Sequence, residues 1–72
     1  MADNEGTLVV LQNSRIRVWK TERDGWFDVF DNYGTVFYGQ VYATPCGSFA
    51  SLPHGATAPT FFPTFFDAVE AL

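Results

Sequence analysis

The chain has 72 residues, 47% hydrophobic and 18% aromatic, and its 4 Lys and Arg against 8 Asp and Glu give a net charge of −4. A chain this short forms one domain with a marginal core. One cysteine and one histidine exclude an internal disulfide and argue against a structural zinc, which takes four ligands.

Support must then come from dense packing or from self-association, and the aromatic content suits both, since each buried ring removes roughly 150–250 Å² from water. Met1-Ala2-Asp3-Asn4-Glu5 carries no basic region, and no apolar stretch is long enough for a signal or a membrane span. The expectation is a single small cytoplasmic domain over residues 1–72, with residues 1–6 as a flexible N-terminus and no membrane contact.

Residues 7–12 are β-branched and apolar between Gly6 and Asn13, so they read as a first strand, buried on both faces. Residues 15–22 alternate, with Ile16 and Val18 against Arg17, Trp19 and Thr21, the period of a half-buried strand. Arg23-Asp24-Gly25 signals a turn, residues 26–31 a third strand, Asn32-Tyr33-Gly34 another turn, and residues 35–43 a fourth strand. Hairpin-linked strands of this kind make a meander.

A three-residue loop at Arg23-Asp24-Gly25 would set Lys20 opposite Asp28 and Arg17 opposite Asp31, so that opposite charges meet across the strands. A two-residue Asp24-Gly25 turn would instead set Trp19 opposite Phe30. In the first register one face collects Trp19, Phe27, Val29, Phe37 and Val41, with Gly39 opposite Phe27. The other collects Ile16, Val18, Trp26, Phe30, Val36, Tyr38 and Tyr42. Both faces are apolar, so the second needs cover from the first strand, the long loop or another molecule.

Residues 44–60 hold Pro45, Gly47, Pro53, Gly55 and Pro59 and read as a long loop, with a short edge strand at residues 48–52 as the one regular element it could add. Thr64 then caps a C-terminal helix with Asp67 three residues on. Phe65, Ala68, Val69 and Leu72 form its apolar stripe, while Phe61, Phe62 and Phe66 widen the apolar surface at its start. The expected architecture is α+β, a small curled antiparallel meander of three to four strands packed by one short C-terminal helix. The alternative is a small SH3-like barrel closed by the long loop.

For chemistry, Cys46 with His54 as base is the one nucleophile pair the residue types allow. No orienting carboxylate or oxyanion-hole motif accompanies it, and a free cysteine is commonly just a small apolar residue. No phosphate-binding, dinucleotide, zinc or calcium motif appears. The expectation is therefore a non-enzymatic protein without cofactor or metal.

Charge distribution is more informative. Arg15, Arg17, Lys20 and Arg23 all fall in the second strand and its turn, whereas Asp3, Glu5, Asp24, Asp28, Asp31, Asp67 and Glu70 spread a negative field over the rest. Exposed aromatic residues with an acidic rim suit a protein-binding module for a basic partner, with Trp26, Asp28, Phe30, Asp31, Tyr38 and Tyr42 as its contact residues. In a sharper version the chain is an inhibitor of phage or mobile-element type, presenting carboxylates to a nucleic-acid-handling partner as a nucleic-acid mimic. The alternative is single-stranded nucleic-acid binding, with sheet aromatics stacking on bases and Arg15, Arg17, Lys20 and Arg23 holding the backbone. Net charge argues against that alternative. Homodimerisation through the surplus aromatic face is a further expectation.

Overall fold

A computed structural model describes residues 7–11 and 14–72. In chain order the elements are β1 (Thr7–Val10), β2 (Arg15–Lys20), β3 (Trp26–Asp31), β4 (Phe37–Ala43), β5 (Phe49–Pro53), β6 (Thr60–Phe62) and α1 (Phe65–Glu70). The strands form one antiparallel 6-stranded sheet in the order β1-β2-β3-β4-β5-β6. The α+β class stands, but three to four strands is an undercount. The SH3-like barrel is not formed, because β1 and β6 remain the two edges of an open sheet.

The additional strands come from the segment expected to be a loop. Residues 44–60 turn at Thr44, whose N–H donates to the Ser48 carbonyl at 2.9 Å, and then supply β5 and the start of β6. β5 is an inner strand between β4 and β6, not an edge. Its proline, Pro53, is the last residue of the strand, and Pro59 directly precedes β6, so the prolines bound the strands instead of preventing them. The flexible terminus expected at residues 1–6 lies outside the described residues.

β1 also differs from expectation. It extends the sheet at one edge and covers neither face, and Leu8 and Val10 are 43% and 65% exposed. A continuous apolar run can mark a strand without marking a buried one.

The β2–β3 register is neither of the two anticipated. Arg17 pairs with Phe30, Val18 with Val29, Trp19 with Asp28 and Lys20 with Phe27, one residue away from the charge-matched register. Thr21 holds the longer turn that results: its N–H donates to the Trp26 carbonyl at 3.1 Å, and its Oγ1 accepts from the Arg23 N–H at 3.1 Å. Burial explains the outcome. Two exposed ion pairs are worth about 0.2–1 kcal/mol each, whereas burying Ile16 and Val18 beside Val29 contributes roughly 1.5–3 kcal/mol per side chain.

With this register the aliphatic residues gather on one face. Ile16, Val18, Val29 and Val41 are buried there with Ala68 and Val69 of α1, and Val9, Phe27, Phe49, Phe62, Phe65 and Leu72 pack around them. The helix forms as its sequence predicts. The Thr64 side chain accepts from the Asp67 N–H at 3.1 Å, and the Ala68–Val69 stripe faces β4, β5 and β6. Gly39 lies opposite Val29, not Phe27. A Cβ there would collide with the Leu52 carbonyl and the Pro53 Cα, and its φ is +148°, so close passage of β5 requires glycine.

Candidate functional site

The opposite, helix-free face carries the candidate site. Strand alternation from the β2–β3 and β3–β4 pairings puts Arg15, Arg17, Trp19, Trp26, Asp28, Phe30, Gln40 and Tyr42 on it. A β-bulge adds a further member. Val29 pairs with Gly39 but Phe30 pairs with Phe37, so Tyr38 is an extra residue in β4 and the alternation changes phase there. Phe37 thereby joins the helix-free face, with its ring centroid 5.2 Å from Phe30.

The rings form two islands. In the first, Trp26 and Tyr42 stack with centroids 3.9 Å apart and planes within 8°, and the Arg23 guanidinium lies 4.1 Å over the Trp26 ring as a cation–π contact. The same row continues across the sheet through Ala50 to Phe61, which is 58% exposed. In the second island Trp19 meets Phe30 edge-on at 4.9 Å, Phe30 meets Phe37, and Phe37 meets the His54 ring at 5.2 Å. Gly34, at φ +76°, allows the turn before β4 to lie against Trp19, where a Cβ would stand 3.0 Å from the indole.

Between the islands runs a polar row. Gln40 donates its amide N–H to the Asp28 carboxylate at 2.9 Å. Trp26 and Phe30 are four residues apart on β3, so the islands are separated by about 13 Å at the usual strand rise. A depression of about 480 Å³ beside the first island is lined by Lys20, Thr21, Glu22, Arg23, Trp26, Asp28 and Gln40. Trp19, Trp26, Phe30, Phe37 and Tyr42 are all half-buried, giving large ring area in fixed orientations.

Of the six residues anticipated for protein contact, Trp26, Asp28, Phe30 and Tyr42 are brought together here. Tyr38 is not: the bulge turns it to the helix side, where it lines a cavity with Leu11, Ile16, Val69 and Leu72. Asp31 is also elsewhere. It pairs with Ile16 on the helix side, and its carboxylate accepts from the Thr35 N–H at 2.7 Å, the Thr35 hydroxyl at 3.0 Å and the Val36 N–H at 3.2 Å. Desolvation tends to raise its pKa. The hydrogen bonds from the Thr35 and Val36 N–H groups, the Thr35 hydroxyl and the Gly34 N–H prevail and hold the carboxyl below its ordinary value.

Of the four cations, Arg15, Arg17 and Arg23 lie on the aromatic side, while Lys20 pairs with Phe27 on the helix side. The expected cross-strand pairs Lys20–Asp28 and Arg17–Asp31 are not in register. Arg17 donates through Nε to the Asn32 carbonyl at 2.8 Å. Trp19 and Phe37 were absent from the anticipated contact set. The gathering of aliphatic residues on one face would have located Trp19, but no local sequence signal beyond the nearby Gly39 marks the bulge that delivers Phe37.

Cys46 and His54 are not a pair. Cys46 sits in the β4–β5 turn and His54 follows the far end of β5, so the length of that strand, about 16 Å, separates them. The Thr44 hydroxyl at 3.4 Å and the Ser48 hydroxyl at 3.9 Å hold the exposed Cys46 thiol below its ordinary pKa. Among the described residues no three His, Cys, Asp or Glu side chains gather as a metal site, and no helix is long and apolar enough to cross a membrane. Compared with family models, curated proteins and solved structures, the chain matches none.

Proposed function

We propose that this chain is a non-enzymatic protein-binding module that docks through the helix-free face of its sheet. One observation carries the reading: two half-buried aromatic islands flank the Asp28–Gln40 pair on a face that α1 leaves uncovered. Rigid rings around a polar centre are the composition of interface hot spots. The Asp28 carboxylate between them suits a partner that offers a lysine or arginine. The nucleic-acid-mimic version draws on Asp28 together with the exposed Glu22 and Asp24 beside the first island. It draws less on Asp31, whose carboxylate is occupied in its own turn.

The test is capture from native lysate by the wild type, the Trp26→Ala/Tyr42→Ala variant and a Phe66→Ala control on the exposed side of the helix. A basic protein retained by wild type and control but lost by the double variant supports the reading. Equal retention by all three, with the fold verified by circular dichroism, removes it.

A second reading is favoured by a separate observation. Arg15, Arg17 and Trp19 share the aromatic face, and Arg23 lies on Trp26, so the cations are concentrated where bases could stack. Anisotropy of a labelled single-stranded oligonucleotide at about 50 mM salt decides it. Binding weakened by Arg17→Glu supports nucleic-acid binding, and an unchanged signal ends it.

A further inference from the structure

The two edges of the sheet are unlike. β6 is three residues long, lies between Pro59 and Pro63, and is followed at once by α1, all devices that discourage another strand from adding there. β1 is also short, at four residues, but lacks the flanking prolines: Thr7, Leu8, Val9 and Val10 include no charge and no proline. Among the described residues no strand pairs with its outer side.

We propose that the outer edge of β1 pairs with the same edge of a second copy, antiparallel, about a twofold axis through Val9. Backbone phase supports this. The Leu11 N–H donates to the Ser14 carbonyl at 2.7 Å, so by the alternation of an antiparallel ladder Thr7, Val9 and Leu11 point their backbone groups toward β2. Leu8 and Val10 then direct their N–H and C=O groups outward, and these are also the two exposed apolar side chains of the strand.

In the proposed register Leu8 meets Val10 of the second copy, Val10 meets its Leu8, and Val9 meets its Val9. Both outward residues gain a hydrogen-bonded pair, and each apolar side chain gains an apolar neighbour on its own face. A slip of one residue would oppose outward to inward backbone groups and mismatch the faces. The best complement for an uncharged strand with this phase is an uncharged strand with the same phase, which is β1 itself. The two β2 strands would lie three strand spacings apart, about 14 Å, beyond the screening length of about 8 Å at physiological salt, so the Arg15 and Arg17 strips do not oppose the contact.

A single short edge buries far less than the roughly 1,600 Å² of a standard interface, so association is weak and concentration-dependent. The twofold axis is normal to the sheet and both aromatic faces point the same way, making the pair bivalent toward any partner. The inference holds whatever that face binds.

Sedimentation equilibrium of the full chain from about 5 to about 500 µM, a range matched to a weak interface, tests it. The expected mass rises with concentration from 8.0 kDa toward twice that value. Val10→Pro deletes an outward N–H without touching the β1–β2 ladder. It should keep the wild-type circular dichroism and stay at 8.0 kDa throughout. Leu8→Lys/Val10→Lys should behave alike and serves if the proline variant does not fold, while Trp26→Ala should associate like the wild type. A wild type that remains monomeric at every concentration overturns the proposal, as does undiminished association of the folded edge variants. Loss of association in Trp26→Ala alone would place the contact on the aromatic face and overturn it equally.

Discussion

The two faces of the sheet use apolar residues in opposite ways. On the helix side Val29, Val41 and Ala68 have 0% exposure and Ile16 and Val69 only 4%. These are small or β-branched side chains that meet between sheet and helix, with Phe27, Phe49, Phe62 and Phe65 packed around them. On the other side the residues are larger, flatter and half-exposed, and they touch one another through ring edges and stacks. Stability and recognition therefore place different demands on side chains, and one sheet can satisfy both by giving each a face. Aliphatic residues close a core, while rings held by neighbouring rings keep their orientation without being closed over.

This division can be broken most directly by truncating one residue from each side. Val29→Ala should lower the unfolding free energy in urea by about 2–3 kcal/mol, through two lost methyl groups and the cavity they leave. Tyr42→Leu, which mainly removes the ring stack with Trp26, should lower it by about 1 kcal/mol. The reverse order would make the aromatic face the principal core and overturn the comparison. At the helix start, Thr64→Ala removes the side chain that accepts from the Asp67 N–H. A loss of about 1 kcal/mol is expected, with the helix-side core loosened before the aromatic side.

Ser51 sharpens the contrast within the helix face. It is 1% exposed, and its hydroxyl has no hydrogen-bond partner among the described residues. Ser51→Ala should leave stability unchanged or raise it by up to about 1 kcal/mol in the same urea titration. A loss of that size would mean the hydroxyl is hydrogen-bonded after all.

The smallest effect is expected at the rim of the helix side, in the Asp31 turn. Its carboxyl sits below the ordinary value of 3.8 in the folded chain, so folding favours the ionised form. The contribution is present above the unfolded pKa and is lost as pH falls through the folded one. Asp31→Asn should therefore melt slightly below wild type at neutral pH, with the gap closing as the solution is acidified below 3.8. A gap that stays constant with pH would assign the difference to side-chain shape.

Features set by adjacent residues were legible in the sequence. The bounds of β3, the Thr64 cap and the Ala68–Val69 stripe follow from short-range patterns, and the structure has them where the patterns put them. Features set by competition between distant segments were not. The β2–β3 register turned on whether surface charge or aliphatic burial is worth more, and matching charges suggested the weaker interaction. β5 was legible only as a short edge strand over residues 48–52 and β6 was hidden, because prolines read as strand breakers, although here they stand at strand ends. The candidate site was half legible for the same reason. Trp26, Asp28, Phe30 and Tyr42 alternate simply along β3 and β4, but Tyr38 and Phe37 exchange sides at a bulge with no signature beyond the nearby Gly39.

That bulge divides β4 into two stretches with different neighbours. From Gly39 onward β4 is locked in phase by β5, whereas the stretch before Tyr38 meets only β3 and a turn. Loss of one codon at Tyr38 would restore strict alternation with Phe37 still opposite Phe30, and would remove only the tyrosine that lines the helix-side cavity. The extra residue thus adds a side chain beneath the sheet and leaves the outer ring pair Phe30–Phe37 as a regular ladder would have it, so the two surfaces of one strand can differ in length by a residue.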